Sequence, residues 1–179
     1  MLIMTMTPLH MTDHGHGLLA VGTVISGHVF GMFALAPLSG RLTDRFGPLP
    51  IIFAGMGLLL AAGVGSALAP PDSQLLLLAA LFLLGWGWNL GYVAGSSLLT
   101  GAVTVAERAR VQGVSDALIW STSAVASIGS GLIVGAWGFA TLGMLGAIVV
   151  GVVGGVVLLR REALGRPAPH TPPLAPAVE

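Results

Sequence analysis

Asp116 is the only acidic residue set inside an apolar stretch long enough to cross a membrane. It lies roughly 8–10 Å in from the end of that stretch, at 1.5 Å per helical residue. Trp120, Ser123, Ser127 and, less well aligned, Ser130 follow it on one helical face. A carboxylate so placed can carry a proton or a cation into a cavity. It can equally complement a helix dipole in the first turns, or pair with an arginine. A second set stands in LFLLGWGWNLGYVAGSSLLTG, where Asn89, Tyr92, Ser96 and Thr100 share a helical face. Gly87, Gly91 and Gly95 repeat every four residues on a roughly opposite face, where a neighbouring helix can approach closely. One face polar and one face tight suits a helix that lines a cavity; hydrogen bonding between helices is the alternative.

His28 sits near the middle of VGTVISGHVFGMFALAPL, between Gly27 and Gly31. With an ordinary pKa of about 6.5 it can take and release a proton near neutrality, or stay neutral and bond a facing helix. His28 and Asn89 both fall near mid-span, where transporter sites lie. HMTDHGHG gathers His10, Asp13, His14 and His16; on a continuous helix His10 and His14 would share a face, but Gly15 and Gly17 argue against one, and no metal is expected there. No nucleophile and base pair stands out, so an enzyme is not expected. The chain has no lysine for a phosphate-binding loop, and GWGWNLG and GSGLIVG do not follow strands; no cofactor is expected.

The elements that must position these residues follow from composition. Charged residues make up 8% of the 179 and apolar ones 55%, against about 25% charge in an ordinary soluble domain. There is no cysteine, and the net charge is zero without a basic cluster, which argues against nucleic acid as a partner. Five stretches can each span a bilayer core of about 30 Å: 17–38, 50–69, 75–100, 111–136 and 139–159. Their length and the absence of alternation exclude barrel strands of about 10 residues, which leaves helices. Residues 1–9 are too short to cross and read as the last turns of a helix that begins upstream. The fold class is therefore an all-α polytopic transmembrane bundle, with five complete spans and a partial one over residues 1–160.

The arginines orient it. Arg41 and Arg45 follow the first span, Arg108 and Arg110 precede the fourth, and Arg160, Arg161 and Arg166 follow the fifth, while the two alternate connections carry none. By the positive-inside rule this side and the C-terminus are cytoplasmic, in a plasma membrane. Residues 161–179 are Pro-rich and read as a disordered tail.

The connection GRLTDRFG remains. Gly40, Leu42, Asp44, Arg45 and Gly47 resemble the G-x-L-x-D-R-x-G signature of the major facilitator superfamily. The resemblance implies a tight cytoplasmic gating turn that latches the two halves of a transporter in one alternating state. The family pattern continues with two basic residues, where this chain has Pro48, Leu49 and Pro50. The third span also lacks a charge and the fourth lacks a proline. These departures suit the second copy of the motif, so the spans resemble helices 8 to 12 and the opening stub the end of helix 7.

The function that the resemblance implies is secondary transport of a small molecule, with proton-coupled efflux expected. The chain would contribute the C-terminal half, and its partners would be the lipid bilayer, the substrate, protons, and a missing N-terminal half or a second copy. A non-transporting module that binds another membrane protein, or a half-size transporter acting as a homodimer, are the alternatives. The candidates for cavity or coupling roles are His28, Asn89, Tyr92, Ser96, Asp116, Trp120 and Ser123.

Overall fold

Helices follow directly from the apolar runs, because a backbone in lipid must satisfy its own hydrogen bonds. The computed structural model describes residues 1–70 and 72–164, the last four of them by their helical backbone alone. It contains α1 (Leu2–Asp13), α2 (Leu18–Phe33), α3 (Ala36–Phe46), α4 (Pro48–Leu68), α5 (Gln74–Gly101), α6 (Arg108–Trp137) and α7 (Phe139–Leu164). No strand occurs among the described residues. Among the described residues five stretches are long and apolar enough to cross a membrane, α2 and α3 counting together as Leu18–Phe46. The protein is an all-α polytopic helical bundle. The part of the expected tail beyond Leu164 lies outside the described residues.

Two stretches differ from the expectation. GRLTDRF is helical rather than a turn, and the reversal is confined to Gly47, at φ +84°. Pro37 explains the break that precedes it. Lacking an N–H, it cannot extend α2, yet its fixed φ suits the first turn of a new helix. The chain thus kinks at Ala34 and Leu35 and continues as α3. Residues His10 to Asp13 likewise belong to α1, which ends where Gly15 takes φ +80°.

The core is organised around α5, which packs against α2 and α3 on one side and α4 on the other, while α4 also packs against α7. Close backbone approach makes these seams. A Cβ on Gly55 of α4 would lie 2.8 Å from the Gly87 carbonyl oxygen, and one on Gly87 2.8 Å from that of Gly55. Gly63 and Gly143 join α4 to α7 in the same reciprocal way. The ladder expected to continue through Gly91 and Gly95 instead faces open space there, as do Gly131 and Gly135 of α6. Apolar residues from α1, α2, α5 and α7 close the largest cluster, among them Ile3, Met11, Val24, Leu81 and Leu142. In contrast, α6 lies at the margin, with Ser130 as its one buried residue.

Candidate functional site

The seam between α5 and α6 is held by polar side chains rather than by packed apolar ones. Its register is set outside the span. Glu107 accepts from the Thr104 backbone N–H at 3.2 Å and from its hydroxyl at 2.6 Å. Those two donors hold its carboxyl below the ordinary range. One residue on, Arg108 Nε donates to the Thr100 carbonyl at 3.1 Å and ties the start of α6 to the end of α5.

One turn further along α6, Gln112 Nε2 donates to Ser96 Oγ at 3.2 Å and to Asp116 Oδ1 at 2.9 Å. Tyr92 Oη donates to the same Asp116 oxygen at 3.0 Å. Asp116 is therefore held by two uncharged donors, and no arginine reaches it among the described residues. Gln112 Oε1 is buried without a hydrogen-bond partner. Such an acceptor is uncommon, because leaving a buried polar atom unpaired costs about 1–3 kcal/mol. Aromatic rings wall the next turn: Trp88 stacks on Tyr92 at 4.9 Å, and Trp120 lies 6.5 Å from Trp88. Behind Tyr92 and Ser96 is a cavity of about 390 Å³, lined also by Ser115 and Ile119. Trp88 and Ser123 face a separate, apolar cavity of about 260 Å³.

The structure thus brings Tyr92, Ser96, Asp116 and Trp120 together, with Ser123 nearby, and gives Asn89 and His28 other hydrogen-bond partners. Asn89 is buried, donates from Nδ2 to the Met32 carbonyl at 2.7 Å, and accepts from the Ser39 hydroxyl. It therefore binds α5 to the junction of α2 and α3. His28 is buried too, with Nδ1 2.9 Å from the Leu81 carbonyl oxygen, and it borders a small cavity with Met32 and Trp88. Thr100 bonds back to the Ser96 carbonyl of its own helix, at 2.7 Å.

In α3, Asp44 and Arg45 are exposed, and the Arg45 guanidinium lies 5.3 Å from the centre of the Phe46 ring. Thr43 and Ser39 are the buried residues of this helix. At the opposite end of the bundle His10 stacks on Phe139 at 4.1 Å, and His14 Nδ1 bonds the His10 carbonyl at 2.7 Å. No group of three or more ligating side chains gathers around a metal position among the described residues.

Residues 1–178 match the Major Facilitator Superfamily as a family. The chain belongs to that superfamily. It is 43% identical over 147 residues to the uncharacterised MFS-type transporter YddS of Bacillus subtilis, an alignment that covers 82% of this chain and 34% of that protein. It is 33% identical over 166 residues to the riboflavin transporter RfnT of Brucella anthropi, covering 93% of this chain and 41% of that one. A lower similarity, 29% over 132 residues, relates it to the methylenomycin A resistance protein of Streptomyces coelicolor, with 73% and 27% covered. No solved structure matches significantly. The chain spans about a third of the length of YddS and two fifths of that of RfnT.

Within this major facilitator bundle Gln112 is the residue that sequence reasoning missed. VAERARVQ drew attention to its arginines, while the usable signal was the four-residue spacing from Gln112 to Asp116, which puts the two side chains on adjacent turns of one face. Ser39 was missed as well. Nothing in the sequence marks it as the partner of Asn89, fifty positions away.

Proposed function

We propose that this chain forms the C-terminal half of a secondary transporter for a small organic molecule, that export is coupled to protons, and that Asp116 carries the proton. The observation that supports this most is Asp116 itself, an ionisable group within a span whose partners among the described residues are the neutral donors Tyr92 and Gln112. A structural ion pair would leave it committed to an arginine. Neutral partners leave its charge free to change, and intramembrane carboxylates of that kind mark ion pathways.

Tyr92, Ser96, Trp120 and Ser123 then line the substrate path, with aromatic faces for a flat organic molecule and hydroxyls to orient it. Asn89 and His28 serve as inter-helix ties that fix α5 against α2. The end bearing Arg45, Arg108 and Arg160 faces the cytoplasm. There α3 and the Gly47 reversal supply the gating contact to the other half. The exposed apolar side of α6, with Val125, Ile128 and Leu132, faces lipid or that second half, which is either an upstream segment of a longer polypeptide or a second copy.

Flux in reconstituted vesicles tests this reading, with labelled riboflavin as the first probe because a relative is named for it. Imposing a pH gradient should accelerate flux, and Asp116→Asn should abolish that acceleration. Flux indifferent to the gradient, or a gradient response that survives Asp116→Asn, would refute proton coupling at Asp116.

A further inference from the structure

The orphan oxygen of Gln112 has a use that the ionised site does not reveal. A carboxylate only accepts hydrogen bonds, whereas a carboxylic acid must also place an O–H. Around Asp116 every contact comes from a donor: the Tyr92 hydroxyl and the Gln112 amide nitrogen. If Asp116 takes a proton, the new O–H requires an acceptor, and the acceptor on the adjacent group is Gln112 Oε1, buried and unpartnered. Half a turn of the amide about its terminal torsion exchanges the nitrogen for that oxygen, a torsion that is broad and roughly two-fold. Ser96 can follow. Its hydroxyl accepts from Gln112 Nε2 at 3.2 Å in the ionised arrangement, and it can rotate to donate to Oε1 once the amide has turned.

We propose that Gln112 is the positioning residue for Asp116 in both protonation states, donating to the carboxylate and accepting from the acid. This inference rests on the reading of Asp116 as the proton carrier. The proton arrives from water, binds one carboxylate oxygen without other covalent change, and leaves by the same bond. Gln112 itself neither gains nor loses a proton. Its amide turns, so Asp116 keeps a hydrogen bond to Gln112 in both states.

Few other charges compete. On α5 the ionisable group is Tyr92. On α6 Arg108 lies a turn beyond Gln112, with Nε engaged by Thr100. His10 and Asp13 belong to α1, which meets α6 where Thr5 contacts Ser127, about three turns from Asp116, while Met1, ahead of α1, lies nearer, in a cavity with Trp88 and Ser123. Arg160 of α7 is exposed and forms no ion pair with Asp116 among the described residues.

Infrared difference spectroscopy of the protein in lipid vesicles, titrated in pH, tests the proposal. A carboxylic-acid carbonyl band that disappears in Asp116→Asn reports Asp116. Its absence from the native spectrum would remove the underlying reading, and the proposal with it. If the band is present, a side-chain amide band should shift with the same midpoint and vanish in Gln112→Met, a variant of similar volume. That variant should also move the carboxyl midpoint by about tenfold in proton concentration, because the bond lost from the carboxylate is stronger than the one lost from the neutral acid. An Asp116 band that titrates unchanged in Gln112→Met would show that Gln112 only packs the seam. Should Gln112→Met fail to fold, Ser96→Ala removes the amide's second anchor and should broaden or split the amide band; an unaltered band would overturn the proposal.

Discussion

At the scale of single residues, the division between Asn89 and Tyr92 carries the account. Both lie on what looks like one face of α5, yet a central helix has neighbours all round it. Asn89 turns toward Met32 and Ser39, and Tyr92 toward Asp116. A shared helical face is thus not a shared partner, and the sequence could not say which helix each side chain would meet. The two residues should separate in experiment. Asn89→Ala strips a buried carbonyl and a buried hydroxyl of their partner and should lower stability by about 1–2 kcal/mol in detergent unfolding. Its effect on the pH dependence of flux should be nil. Tyr92→Phe removes one donor from Asp116 and leaves the ring stack on Trp88, so it should alter the pH dependence while leaving unfolding nearly unchanged. An Asn89 variant that shifts the pH profile would return that residue to the site.

At the scale of elements, hydropathy made the spans legible because length and apolar content are what the bilayer selects. Continuation of the helix through GRLTDRF was not read, since glycines and charges suggest a turn. The cue lay at the two ends of the segment, Pro37 where α3 begins and Gly47 where it stops. Glycine periodicity misled for a related reason: a four-residue repeat marks a possible packing face, and the location of the neighbouring helix decides whether it is used. Gly87 meets Gly55, whereas Gly91 has open space where a Cβ would stand. Gly55→Ala or Gly87→Ala should force α4 and α5 apart and cost about 1–3 kcal/mol in thermal unfolding. Gly57→Ala or Gly91→Ala should be neutral or slightly stabilising, through reduced freedom of the unfolded chain. Equal effects at Gly87 and Gly91 would mean that the α4–α5 seam is not the one described.

At the scale of the whole molecule, the bundle has a tight side and a loose one. Glycine contacts lock α2, α4, α5 and α7 together, while α6 is tied to α5 through Arg108, Gln112 and Asp116, also packs against α1 and α7, where Thr5 meets Ser127, and otherwise keeps a largely exposed surface. A half-transporter of this kind would present its polar seam where the second half closes over it. The chain contains no cysteine, so single cysteines report sidedness without background. Asp44→Cys and Ala106→Cys should react with an impermeant thiol reagent only from the cytoplasmic side, and Asp72→Cys only from outside; any other pattern would invert the topology. The central claim, that Asp116 couples substrate to protons, is tested most directly by comparing substrate exchange with pH-driven uphill transport in vesicles bearing Asp116→Asn. With its proton carrier gone but its cavity intact, the variant should still exchange internal for external substrate and fail to concentrate it. Uphill transport at native level would contradict the account.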